Sequence, residues 1–151
     1  MPHIIFLRTA DMKTTINADT LYLPIKLAYF DEIASGVKVC EYREVKEGIT
    51  ANRYILKDND GKYVLNPDCT VAEVEYFLDD FNGGKFPFLP KPYKYLYLAV
   101  GYAKERDTAL VEVTGYSFEP KMIRKDRNGN PRYAFWVIAY HLGRVVELHR
   151  K

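Results

Sequence analysis

Between residues 21 and 26, Leu21, Leu23 and Ile25 alternate with Tyr22, Pro24 and Lys26, and this two-residue period predicts a half-buried strand. Pro24 has no N–H to give to a ladder, so the strand is expected to be short or to lie at a sheet edge. From Leu27 the period changes. Phe30, Ile33, Ala34 and Val37 fall at i, i+3, i+4 and i+7 and make one helical stripe. Gly36 is placed to close that helix with a left-handed residue, and Val39 to Arg43 return to strand.

Further along, residues 53–65, RYILKDNDGKYVL, put two apolar–polar arms around Asn59-Asp60-Gly61, a hairpin signal. Thr70 with Glu73 forms a capping box that opens a short helix over VAEVEYFLDD, ending before Asn82-Gly83-Gly84. The following GGKFPFLPKPYK, with three prolines and two glycines, is expected as loop. Three strand candidates come next, YKYLYLAVGY, TALVEVTGYSF and RYAFWVIAYHL, and a last short one at GRVVELH. Between the second and third lies PKMIRKDRNGNP, a basic loop or hairpin tip. These elements predict an α+β fold: a small mixed barrel, or strongly bent sheet, of about six strands with one or two short helices. Without an internal repeat or low-complexity linker, residues 1–151 read as one domain, with residues 1–20 as an added strand or arm.

Composition adds little to that picture except in tyrosine. The chain's 151 residues suit a single core, and 48% hydrophobic with 28% charged residues is the balance of a folded protein. The 13 tyrosines fit a β-rich fold and also suit stacking surfaces. Twenty-two cations against twenty acids give a net charge of +2, too little to imply a nucleic-acid partner by itself. No run of 18 apolar residues is present, and the N-terminal MPHIIFLRTADMK has no cleavable signal pattern. Cys40 and Cys69 make neither a metal spacing nor a disulfide framework. No Walker loop, dinucleotide fingerprint or nucleophilic triad pattern occurs. A cytoplasmic, reduced protein without metal, cofactor or membrane span is the expectation.

The unusual segment is the one just past Gly36, where Lys38, Glu41, Arg43 and Glu44 fall within seven residues. On a straight strand Val39, Glu41 and Arg43 point one way, and Lys38, Cys40, Tyr42 and Glu44 the other. Glu41 and Arg43 then lie close enough to pair. As a surface ion pair they contribute about 0–1 kcal/mol; as a buried pair lining a concave site, Arg43 offers a planar fork to a phosphate or base edge. Lys46 and Arg53 extend the positive charge, and residues 121–132 add Lys121, Arg124, Lys125, Arg127 and Arg132 against Asp126 alone. Such local asymmetry suits a phosphate backbone, and it is also the composition of many exposed hairpin tips. Cys40 reads as a small buried hydrophobe.

LPIKLAYFDEIASGVKVCEYRE, with Gly36-Val37-Lys38-Val39-Cys40-Glu41-Tyr42-Arg43 at its core, resembles the opening of an ASCH domain, a branch of the PUA-like barrels with a G-x-K-x-x-E/T-x-R signature. YLAVGYAKERDTALVEVTGYSF resembles that family's central strands and YAFWVIAYHLGRVV its closing strands, so the similarity runs over residues 20–149 in order, closest to small stand-alone bacterial and phage members. The resemblance implies a barrel with a helix beside a cleft, and an RNA, nucleotide or modified-nucleoside ligand. Lys38 and Arg43 would meet phosphate or base acceptors, Glu41 would orient Arg43 or accept from an exocyclic amine, and Tyr42 or Tyr102 would stack on a base. Lys26, Lys46 and Arg53 would flank the site. One branch resembles an amidohydrolase of N-acylated cytidine; Lys38 and Arg43 match it, Glu41 stands where it carries Thr, and the chain has a basic loop where it carries a helical insertion with an acid. In that reading Lys38 and Glu41 are the catalytic acid/base pair. A third reading is a structural or protein-interaction module.

Overall fold

Leu21, Leu23 and Ile25 are buried along β1 (Thr20–Ile25), as their alternation predicts. The structure, a computed structural model, describes residues 18–69 and 85–151; all but the last three residues of the expected N-terminal arm (1–20), and the capping-box helix from Thr70, lie outside them. The remaining elements are α1 (Leu27–Ala34), β2 (Cys40–Val45), α2 (Ala51–Tyr54), β3 (Tyr95–Val100), β4 (Thr108–Lys125) and β5 (Pro131–His149). Among the described residues the fold is thus α+β, with a five-stranded sheet in the order β1-β3-β4-β5-β2. The sheet is mixed: β1 and β3 are parallel, Thr20 opposite Tyr95, and β3 and β4 antiparallel, Tyr95 opposite Glu112. β1 stands at an edge, where Pro24 is tolerated.

The last short strand expected at GRVVELH is not separate. GRVVELH is the end of β5, which passes through Gly143 without a break. A Cβ at Gly143 would come within 2.8 Å of Thr114 Cγ2, so this glycine marks a close approach of two strands rather than a turn.

The chain divides into two compact units. The first comprises Met1–Glu41, Tyr93–Gly115 and Tyr140–Lys151. In it β3 is buried on both faces. Leu96 and Leu98 share a face with Leu21 and Leu23 of β1, and Tyr97 and Ala99 cluster with Leu110 on the other, where Tyr97 stacks on Tyr22 at 6.0 Å. Burial is the main reason the Tyr97 hydroxyl's pKa is raised above the usual tyrosine value. Against β3 lies α1, which buries Phe30 and Ile33. The stripe ends there: the helix stops at Ala34, so Val37 lies past it and is 74% exposed, a correction to the sequence expectation. At the C-terminus the Arg150 guanidinium meets Asp31 at 2.7 Å over the Phe30 ring, and the Lys151 N–H donates to Asp107 at 2.9 Å.

The second unit comprises Tyr42–Pro92 and Tyr116–Ala139. Val45, Ala51, Tyr54 and Ile55 are buried in it, and Phe86 stacks on Phe118 at 4.1 Å with Trp136 edge-on at 5.4 Å. Residues 53 and 54 belong to α2, so the expected hairpin is shorter than predicted. Its arms meet at Lys57 and Tyr63, and the Val64 N–H donates to the Leu56 carbonyl. Part of the expected loop is extended chain instead. Leu56 N–H donates to Leu89 O, Leu89 N–H to Val64 O and Lys91 N–H to Tyr54 O. Three prolines do not prevent this, because neighbouring residues supply the donors.

The unit builds one turn twice. In residues 58–62, Asp58 N–H donates to Lys62 O, and the Asp58 carboxylate accepts from the N–H groups of Asp60 and Lys62. In residues 126–130, Asp126 N–H donates to Asn130 O, and its carboxylate accepts from Asn128 and Asn130. The fourth residue of each is a glycine in the left-handed region, Gly61 at φ +78° and Gly129 at φ +82°, which a side chain would strain.

Candidate functional site

The charged segment is fastened to the helix before it. Past Ser35, Gly36 adopts φ +82° with its N–H on Ile33 O at 3.1 Å, and Lys38 N–H returns to Glu32 O at 3.0 Å. These bonds satisfy carbonyls that the helix end leaves open. Nothing lies within 4 Å of a Cβ built on Gly36, so conformation, not space, requires glycine there. From the other side Leu142 N–H of β5 donates to Val39 O at 2.8 Å. The backbone around Lys38 is therefore held at both ends.

On β2 the expected alternation holds for Glu41, Arg43 and Val45, which are buried, half-buried and buried, while Tyr42 and Glu44 are exposed. Lys38 precedes the strand, so alternation does not govern it. Its ammonium lies 2.7 Å from Glu41 Oε1, making an ion pair that the strand reading had put on opposite faces. The Lys38 side chain is 19% exposed and that of Glu41 is 6% exposed, so this is a mostly buried pair and not a solvated one. Lys38 Nζ also lies 4.5 Å from the centre of the Tyr29 ring, within cation–π range.

Lys38 lines an open concavity of about 260 Å³, together with Ile33, Gly36, Val39, Leu142 and Gly143. Gly143 keeps its wall free of a side chain. Behind it Arg144 N–H donates to Glu112 Oε1 at 3.0 Å, and the Thr114 hydroxyl donates to His141 O at 3.3 Å. The concavity thus combines largely apolar side chains, with Ser35 and backbone polar groups among them, and one ammonium whose position is set by a carboxylate and an aromatic face.

Of the other expected site residues in this unit, Lys26 is exposed just ahead of α1 and Tyr102 is 84% exposed after β3; neither lines the concavity. In the second unit, Arg43 is half-buried and Tyr42 exposed on β2. Lys46 pairs with Glu44 at 3.2 Å and lies over the Phe135 ring, and Arg53 lies against the Tyr54 ring. Cys40 is half-buried, more open than a core cysteine. Sequence reasoning missed Tyr29, Leu142 and Gly143. Gly143 did leave a signal, an isolated glycine inside a strand pattern, which marks close backbone approach.

No group of three or more metal-ligating side chains occurs among the described residues, and no helix among them is long and apolar enough to cross a membrane. Comparison with protein families, curated proteins and solved structures finds no match to this chain.

Proposed function

We propose that this chain is an ASCH-type module of the PUA-like barrel class that binds RNA, a nucleotide or a modified nucleoside, with Lys38 and Glu41 at the ligand. The observation that carries the reading is Lys38 on the wall of the concavity, its ammonium paired with the nearly buried Glu41. Burying an ion pair is weak support for stability, because desolvation offsets most of the attraction. A pair kept there is better explained by a ligand that uses it: Glu41 fixes one ammonium N–H, and the remaining donors meet acceptors on the ligand. The helix closure at Gly36 and the Val39–Leu142 bond hold this geometry before binding, which lowers its entropic cost.

A thermal-shift screen of the purified chain against nucleosides, N-acylated cytidines, nucleotides and short RNAs tests the reading, repeated with Lys38→Ala and Arg43→Ala. A ligand at one hundred times its Kd adds about 2.7 kcal/mol, a rise in Tm of roughly 5–10 °C. A shift in the wild type that Lys38→Ala abolishes supports the site. A shift unchanged in that variant moves the site elsewhere, and silence across the panel removes the small-ligand reading.

A second reading, hydrolysis of an N-acylated cytidine, is favoured by the same 2.7 Å distance, which is within reach for proton transfer. Against it, the link between β4 and β5 is the Asp126–Asn130 turn, with no helix to supply a further acid. Turnover of such a substrate, lost in Lys38→Ala, would establish it.

A further inference from the structure

Five cations and one acid fall within residues 121–132, net +4, so the rest of a chain of net charge +2 sums to −2. This concentration sits at the β4–β5 hairpin, and the turn does not require it. The turn at 58–62 has the same hydrogen bonds, the same aspartate and the same left-handed glycine. It is built from Asp58-Asn59-Asp60-Gly61-Lys62, with two acids and one cation. At 126–130 the same device reads Asp126-Arg127-Asn128-Gly129-Asn130 and is flanked by lysine and arginine. Geometry explains Asp126 and Gly129; it leaves the cations unexplained.

Those described are exposed. Lys121, Lys125 and Arg127 all face solvent, and the one acid among them has its carboxylate turned into the loop, accepting two backbone N–H groups at 2.9 Å each. Lys121 has a carboxylate neighbour, Glu119 at 3.5 Å, but both side chains are about half exposed, and such a pair opens readily. A closed turn holds the cations on a preorganised tip, which limits the ordering cost of a contact.

We propose that the β4–β5 hairpin tip is a contact for the phosphodiester backbone of RNA, through Lys121, Lys125 and Arg127. It rests on the nucleic-acid reading above but concerns residues other than those of the concavity. It reads charge and not sequence, since phosphate contacts position a strand without identifying its bases.

The test uses the full chain and fluorescein-labelled oligouridine and oligoadenine, with affinity measured by anisotropy over a salt series. The variants are Lys121→Gln/Lys125→Gln/Arg127→Gln, the single Arg127→Gln, and Lys104→Gln as a control on another exposed turn; melting curves check the fold. Each phosphate contact on a single strand contributes about 0.7 to the slope of log K against log salt, so the triple variant should lower the slope by about 2 and the single one by about 0.7. Both oligonucleotides should weaken alike, and Lys104→Gln should bind as the wild type does.

An unchanged slope in a folded triple variant overturns the proposal, as does failure of the wild type to bind either oligonucleotide. Tip-dependent binding to phosphatidylserine vesicles or to an acidic protein, without oligonucleotide binding, also overturns it. The two readings fail separately: a nucleoside shift lost in Lys38→Ala, with RNA binding indifferent to the tip, leaves the concavity and removes the hairpin contact. RNA binding that depends on the tip, with no nucleoside shift, does the reverse.

Discussion

The turns at 58–62 and 126–130 are the same piece of backbone with a different charge balance around it. Both use an aspartate as a scaffold, its carboxylate taking two N–H groups that a tight turn would otherwise leave to water. Around the first, lysine and aspartate balance; around the second, cations accumulate. A charged side chain can therefore be part of the fold or an addition to it, and hydrogen bonding tells which. Glu41 lies at the buried extreme, with an ammonium against it, and Lys125 and Arg127 at the other, exposed on a finished turn.

Replacing Glu41 by Ala gives the sharpest test of that division. It leaves the Lys38 ammonium mostly buried without its carboxylate, and removing one partner of a buried pair costs about 3–5 kcal/mol. With Lys38 19% exposed, the lower end of that range is expected in urea unfolding. A loss below about 1 kcal/mol would place the pair with ordinary surface pairs.

Next in size are Asp58→Ala and Asp126→Ala. Each orphans two backbone donors near solvent, at about 1–2 kcal/mol by analogy with the loss of a helix cap. The two losses should agree within about 0.5 kcal/mol, and a large inequality would break the equivalence of the turns.

A smaller effect, confined to alkali, is expected from Tyr97. Its pKa is raised, chiefly by burial, so the native state holds the phenol proton more tightly than the unfolded chain does. Stability is then fully present below the unfolded value of about 10 and falls as pH rises through the folded one. Tyr97→Phe should flatten this fall in melting temperature above pH about 10; an unaltered profile would show that another group carries it.

Smallest of all, Lys125→Gln and Arg127→Gln should each change stability by less than about 0.5 kcal/mol, because no described contact of the fold depends on them. A larger loss would move these cations into the structural class and weaken the case that they serve RNA.

Local features of this fold were legible before any coordinates. The alternation of Leu21, Leu23 and Ile25, the helix stop at Gly36, and the turns at Asp58 and Asp126 all depend on residues within five or six positions of one another. Their bonds close within the same short segment, so composition and period suffice to predict them. The charged segment after Gly36 was also visible as an anomaly, but the Lys38–Glu41 pair was not: strand alternation put the two on opposite faces, whereas the strand begins only at Cys40 and Lys38 turns back before it.

What the sequence determined, then, was where the chain turns and which short elements it forms. Tertiary structure decided that Lys38 and Glu41 are buried together, that residues 88–91 pair with distant chain, and that β5 continues through Gly143. Each depends on a neighbour distant along the chain: β5 at Leu142 for Val39, Leu56 and Val64 for Leu89, Thr114 for Gly143. Burial and ladder bonds are properties of such pairs, and a period read along one segment carries no information about which distant segment will cover it.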